Sequence, residues 1–331
     1  MRAIVYTHYG PPDVLQLKEV PTPTPQNNEI LVRVHANAIN YGDLLARNFG
    51  AVTPAAFNMP GPLWLLARIA FGWRTPRVTT LGSEFAGEVA AVGTAVERFK
   101  PGDQVFGYLG QKMGANAEYI CVPEGGMVTH KPATMSYAEA AAVPYGALTA
   151  MTLLRKVQLG PGRRVLIIGA SGGIGAAAVQ LARHAGAEVT GVCGTQRVAF
   201  VRELGADHVI DYTRDALGAA GGAYDVIVDI LGRSSFAACR ELLTPDGCYL
   251  RVSFKLRELL QMAWTSRRGG RRVICAFSNE TPADLEAVRQ LAEAGVIRSL
   301  IDRRYPLEQT AEAHRYLESG ARRGSVVVES A

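Results

Sequence analysis

Cysteine is scarce in this chain: five residues, Cys121, Cys193, Cys239, Cys248 and Cys275, odd in number and widely spaced. That pattern argues against a disulfide framework, and no pair has the spacing of a zinc knuckle. Reduced thiols in a cytoplasmic protein are therefore expected. No apolar run approaches the roughly 20 residues that cross a bilayer, and the opening Met1-Arg2-Ala3-Ile4-Val5-Tyr6 alternates like a strand, with no secretory apolar region. Internal repeats and low-complexity segments are also missing, and a charged fraction of 20% against a hydrophobic fraction of 48% does not describe a disordered chain. The net charge of +5 is modest. Its arginine clusters, Arg267-Arg268-Gly269-Gly270-Arg271-Arg272 and Arg322-Arg323, read as solvated loops, and no nucleic-acid-binding motif accompanies them.

What is present centres on Val165-Leu166-Ile167-Ile168-Gly169-Ala170-Ser171-Gly172-Gly173-Ile174-Gly175. Four branched apolar residues suit a strand buried on both faces, and the glycines let the backbone approach a pyrophosphate at the N-terminus of the helix that follows. The first glycine of the dinucleotide fingerprint is replaced by Ala170, while Gly172 and Gly175 hold the second and third positions. A second strand, Glu188 to Cys193, completes a βαβ unit. At its end an Asp or Glu would hold a ribose 2′-hydroxyl and select NAD, but the chain reads Cys193-Gly194-Thr195-Gln196-Arg197. A hydroxyl and a guanidinium there favour the 2′-phosphate of NADPH. The other reading of Arg197 is a solvated residue opening the next helix.

Two regimes divide the chain. Up to about Val122, short alternating strands with Pro and Gly turns indicate an antiparallel, barrel-like β region, including Ile30 to Val34 and Gly87 to Gly93. From about Lys131, strands alternate with helices: Val165 to Ile168, Glu188 to Cys193, His208 to Asp211, Tyr224 to Asp229, Cys248 to Val252 and Arg272 to Ala276. Six such strands imply an α/β architecture with a doubly wound parallel sheet. Thr281 caps a helix over Pro282 to Ala294, Leu307 to Ser319 forms another, and the strand Ser325 to Glu329 returns to the N-terminal region. The apolar stretch from Phe57 to Trp73 is too broken to span a bilayer; a lid or pocket wall and a subunit contact are both open, and lid or pocket wall is favoured over a peripheral membrane foot because a rich Lys/Arg face is missing. Membrane contact is not expected.

Together with the glycine-rich turn, Leu81 to Val89, Val96 to Val105, Ala141 to Ala150, Ala313 to Tyr316 and Arg323 to Val327 resemble the medium-chain dehydrogenase/reductase superfamily, in its zinc-free quinone oxidoreductase and enoyl reductase branch. The resemblance covers essentially the whole chain. It implies a GroES-like β-barrel catalytic domain over residues 1–126 with 297–331, and a Rossmann NADP-binding domain with a six-stranded sheet over 127–296. Where the superfamily's alcohol dehydrogenases hold zinc through Cys and His, this chain has Asn40-Tyr41-Gly42-Asp43 and Gly82-Ser83-Glu84, so no metal site is expected and His35 and His130 read as surface or structural residues.

Without a Lewis acid the acceptor must itself be electron-poor, a quinone or a carbon–carbon double bond conjugated to a carbonyl. The resemblance implies that Asn40 lies near the nicotinamide and Asp43 supports the active-site wall, and Arg47 fits the same branch. A tyrosine frequent on that helix is replaced by Leu45, which leaves Tyr41 or a water as proton donor, and Tyr41 equally reads as a core aromatic. By the same resemblance Thr149 faces the nicotinamide, Ser171, Gly172, Gly173 and Ile174 the pyrophosphate, and Tyr212 the adenosine end. Leu231, Phe277 and Ser278 complete the nicotinamide pocket or serve as packing, and Arg323 of the terminal motif joins the cofactor set. A small hydrophobic electrophile is the expected substrate. The edge strand Arg272 to Ala276 suggests a homodimer, unless Arg271 and Arg272 protect a monomer's edge. Two other functions stay open: a non-catalytic NADPH-binding scaffold, suggested by Leu45, and a zinc-dependent alcohol dehydrogenase with unusual ligands.

Overall fold

A computed structural model describes residues 1–218, 221–277 and 279–330. In chain order its strands are β1 (Arg2–Val5), β2 (Gln16–Glu19), β3 (Glu29–Ile39), β4 (Glu84–Val92), β5 (Gln104–Tyr108), β6 (Tyr119–Pro123), β7 (Val128–His130), β8 (Arg164–Ile168), β9 (Glu188–Cys193), β10 (His208–Asp211), β11 (Tyr224–Asp229), β12 (Leu243–Arg251), β13 (Arg272–Cys275), β14 (Ile301–Pro306) and β15 (Ser325–Glu329). The α-helices are α1 (Tyr41–Arg47), α2 (Gly61–Phe71), α3 (Tyr137–Ala141), α4 (Pro144–Leu154), α5 (Gly173–His184), α6 (Val198–Glu203), α7 (Phe236–Cys239), α8 (Leu256–Arg268), α9 (Pro282–Glu293) and α10 (Thr310–Glu318).

Two compact units result. The first comprises Met1–Val52, Leu66–Tyr145 and the chain from Glu280; the second comprises Thr53–Leu65 and Gly146–Asn279. These divisions depart from 126/127 and 296/297. The capped helix α3 packs on β3 and β4, and α9 packs on β7, which draws both segments into the first unit.

In the first unit a seven-stranded sheet runs β14-β15-β3-β4-β5-β7, with β6 also paired to β3. Its pairings are antiparallel except one: β14 lies parallel to β15, so the β region is mixed. The terminal strand does rejoin the N-terminal part, Val326 pairing with Ile39 and Val328 with Asn37. Apolar side chains on its two sides form separate clusters, one around Ile4, Ile39, Leu81 and Val326, the other around Ile30, Val32, Phe85 and Val105. Arg47 is buried between α1 and α10, donating to the Gly10 carbonyl at 3.1 Å and to His314 Nδ1 at 3.0 Å, and pairing with Glu318. Burial and the adjacent guanidinium hold the His314 imidazole down at about 3, hence neutral.

The second unit holds the six-stranded parallel sheet in the order β10-β9-β8-β11-β12-β13, the dinucleotide-binding order with its reversal between β8 and β11. Strand β12 begins five residues before Cys248, because buried Leu243 pairs with Tyr224 and residues 244–247 are taken up by a break in register before Val226 meets Cys248. Arg267 and Arg268 are not loop residues. They form the last turn of α8, whose inner side is fixed by Thr265 accepting from the Val273 N–H at 3.1 Å. The stretch 57–73 contains α2, with Leu66 and Ile69 exposed.

The backbone is tightly packed at the turn after β8. Gly169 takes φ +91°, supplying the left-handed residue that the fingerprint's first glycine provides elsewhere, and a Cβ at Gly175 would fall 2.1 Å from the Gly169 carbonyl oxygen. Replacing Gly175 with Ala should therefore cost about 1–3 kcal/mol by overpacking, whereas Gly160→Ala, with open space around it, should change stability by less than about 1 kcal/mol. Urea denaturation midpoints of the two variants check this.

Candidate active site

In the second unit the glycine-rich turn delivers α5 with Gly172 as its N-cap residue and no side-chain cap. The first-turn N–H groups of Gly173, Ile174 and Gly175 therefore lack a side-chain acceptor, which is the arrangement a pyrophosphate satisfies. Ser171 and Gly172 precede them in the same turn. Helix α4 approaches this turn closely: a Cβ at Gly146 would lie 2.5 Å from the Gly173 carbonyl oxygen, and buried Thr149 sits one turn further along α4. Leu231, after β11, packs over the turn, 3.0 Å from where a Gly169 Cβ would stand. Phe277, exposed beyond β13, meets Phe254 edge-on at 5.0 Å. Ser278 lies outside the described residues.

The segment expected to meet the 2′ end of the cofactor contains an acid that the sequence motif does not include. Buried Asp211, at the end of β10, accepts from the Thr195 hydroxyl at 2.6 Å, the Thr213 hydroxyl at 2.8 Å and the Thr213 N–H at 3.0 Å. These bonds, with Thr195 the strongest, hold its carboxyl below the usual carboxylate range. The Thr195 proton is thus spent on Asp211, and the expected hydroxyl donor to a phosphate is corrected on that ground; Arg197 carries N–H groups of the kind a phosphate accepts from. Cys193 is buried at the strand end, its carbonyl accepting from the Tyr212 N–H at 3.1 Å. The exposed Tyr212 ring leans back over Gly194, where an added Cβ would come within 3.3 Å of the phenol oxygen.

In the first unit the expected catalytic residues surround a buried network. Asn40 caps α1, its Oδ1 accepting from Gly42 N–H at 2.8 Å, while Nδ2 donates to Ser83 Oγ at 2.8 Å and to Glu84 Oε2 at 3.0 Å. Asp43 completes the capping box: its oxygens accept from the Asn40 N–H at 2.9 Å and the Gly82 N–H at 2.8 Å. Asn40 and Asp43 are both buried, so they position the start of α1 rather than present free polar atoms. Tyr41, one residue on, is more than half exposed, which removes its core-aromatic reading. Arg323 belongs to this unit, its N–H donating to Asp302 at 2.9 Å. His35 stacks on Tyr137 at 4.3 Å and His130 lies 3.4 Å from Asp103, both structural contacts.

Glu84 is the residue that sequence reading left as part of a motif. It is buried, its second oxygen accepting from the Tyr145 N–H at 2.8 Å. Burial pushes its carboxyl up to about 8 and that of Asp43 up to about 6, against the hydrogen bonds that favour the charged forms. A single acid in the apolar run from Leu81 to Ala86 was the available signal.

Comparison with known proteins identifies the family. Residues 26–133 match the family description "Alcohol dehydrogenase GroES-like domain" and residues 204–328 match "Zinc-binding dehydrogenase". The chain is 33% identical over 335 residues to mouse (Mus musculus) "NAD(P)H oxidoreductase RTN4IP1, mitochondrial", covering 91% of this chain and 81% of that protein. It belongs to the medium-chain dehydrogenase/reductase superfamily, in the quinone oxidoreductase branch. A tomato (Solanum lycopersicum) 2-methylene-furan-3-one reductase is 28% identical over 340 residues, with 99% of this chain and 79% of that protein covered. The solved Escherichia coli quinone oxidoreductase in complex with NADPH superposes with a TM-score of 0.80 at 26% identity, over 99% of this chain and 100% of that one. This branch member is accordingly an NAD(P)H oxidoreductase with the GroES-like and Rossmann-type folds expected. Among the described residues no helix is long and apolar enough to cross a membrane.

Because the Glu84 carboxyl lies higher in the fold than its unfolded value of 4.5, its stabilising contribution is complete below about pH 4.5 and is lost as pH rises toward about 8. Within that window it lowers stability by up to about 1.4 kcal/mol per pH unit. Glu84→Gln should fold with a visibly flatter pH dependence between pH 5 and 8, while Asp43 keeps a residual slope at the acid end. Denaturant titrations of both proteins across that range check it, and parallel curves would remove Glu84 as the cause.

Proposed function

We propose that this protein is an NADPH-dependent reductase of quinones or α,β-unsaturated carbonyl compounds, working by direct hydride transfer without zinc. The observation that carries the reading is the Asn40–Ser83 hydrogen bond of 2.8 Å. These residues stand in the two segments where alcohol dehydrogenases of the superfamily place thiolate and imidazole ligands, and here an amide and a hydroxyl are bonded to each other. Such a pair offers a cation poor ligands. An acceptor that needs no metal to polarise it is then required.

When bound, the reduced nicotinamide supplies the hydride. The chain's own residues do the remainder. The uncapped first turn of α5 fits the pyrophosphate, and the α4 segment carrying Thr149 packs against that turn. Gly194 stands where NAD-selecting enzymes place an acid at the end of β9, the nearby Asp211 carboxylate is tied up by Thr195 and Thr213, and the Arg197 guanidinium is of the type that bonds a 2′-phosphate. Tyr41 is the exposed phenol at the start of α1 and the side chain of that helix able to deliver a proton to a newly formed enolate or hydroquinone anion. The two relatives, a quinone oxidoreductase solved with NADPH and a 2-methylene-furan-3-one reductase, support the same class.

Arg197→Ala should weaken NADPH binding about tenfold or more, equivalent to about 1.4 kcal/mol, and leave NADH affinity within about twofold. Nicotinamide fluorescence titration reads both. Assays with naphthoquinones, cyclic enones and enoyl thioesters should show NADPH oxidation on at least one class. Tight NADPH binding with no turnover on any would favour a non-catalytic scaffold.

A further inference from the structure

Helix α8 presents an outward face that the reductase reading does not use. Leu256, Leu260 and Trp264 recur at intervals of four and are 65%, 65% and 52% exposed. Arg257, Arg267 and Arg268 share that exposed side, the Arg268 guanidinium lying 4.1 Å from the centre of the Trp264 ring. The helix's one acid, Glu258, is turned inward and lies 3.6 Å from Arg251. The opposite side is fastened: Thr265 accepts from Val273 N–H, Met262 Sδ accepts from Cys275 N–H at 3.3 Å, and Lys255 Nζ donates to the Ala55 carbonyl at 2.9 Å. The face therefore cannot be hidden by a small rotation of the helix without breaking these bonds.

Large apolar side chains interleaved with unopposed guanidinium groups suit a partner that is apolar beneath and anionic at its boundary. A second copy of the chain is a poor occupant, since a two-fold pairing of this face would set arginines against arginines with no carboxylate between them. We propose that the outward face of α8 docks the protein on an anionic lipid surface, with Leu256, Leu260 and Trp264 entering the headgroup boundary and Arg257, Arg267 and Arg268 meeting lipid phosphates. The basic apolar face that the 57–73 stretch lacks is here, on another element, and the contact is peripheral.

The test is sedimentation of the full chain with vesicles of phosphatidylcholine alone and of phosphatidylcholine with about one third phosphatidylglycerol, at low and high salt. Binding should be at least tenfold stronger to the anionic vesicles, weaken at high salt, and blue-shift tryptophan emission in the wild type but not in Trp264→Phe. Arg267→Glu with Arg268→Glu, and separately Leu260→Ser with Trp264→Ser, should each lower vesicle binding tenfold or more with circular dichroism and NADPH affinity unchanged. Absent or equal binding to both vesicle types, or full binding by the variants, would overturn the proposal. So would a wild-type dimer that becomes monomeric on Leu260→Ser with Trp264→Ser, because a second copy would then cover the face.

Discussion

Both amide protons of Asn40 are engaged, one by Ser83 and one by Glu84, and its carbonyl oxygen holds the first turn of α1. Much else in the first unit follows from that commitment. The helix begins where it does because Asn40 and Asp43 satisfy each other's backbone, and Tyr41 is consequently the residue turned outward. Breaking the network would take a donor from each of two buried carboxyls and leave Glu84 to Tyr145 and Asp43 to Gly82, a costly change in a low-dielectric interior. The proposed function rests on this: acceptors that are electrophilic by themselves are the ones such a network suits.

The parallel sheet is legible in the sequence because its inner strands are largely buried and carry clusters of branched apolar residues between helical segments. Glu188 to Cys193, His208 to Asp211 and Tyr224 to Asp229 have the expected limits. Where local pattern and long-range pairing diverge, reading failed. Leu243 joins β12 only because it meets Tyr224, which no window around Thr244-Pro245-Asp246-Gly247 reveals. Likewise Arg267 and Arg268 look like loop residues beside two glycines, yet the period set by Leu259, Met262 and Thr265 carries α8 through them. The parallel pairing of β14 with β15 is equally invisible, since an edge strand such as β14 reads alike in either direction.

The cofactor half of the site was legible where backbone constraints dominate. Glycines at 169 and 175 are required by a positive φ and by a contact that excludes a Cβ, and such demands leave a signature in residue type. Side-chain pairing leaves a weaker one. Asp211 lies 16 residues from Thr195 and nothing in either neighbourhood announces their 2.6 Å bond, so Thr195 looked like a phosphate donor. Glu84 was hidden differently: its residue type was plain, but only the fold reveals how completely it is removed from water. Asn40 and Asp43 are implied by family resemblance alone, and the capping box gives a structural reason for their spacing.

The most direct test of metal-free delivery to an electrophilic carbon uses chelator-treated protein with NADPH deuterated at the transferable position and a cyclic enone. Mass spectrometry and NMR locate the label in the product. The account predicts deuterium on the carbon β to the carbonyl, at an undiminished rate. Label on the carbonyl carbon, or turnover that returns only when zinc is added, would contradict it.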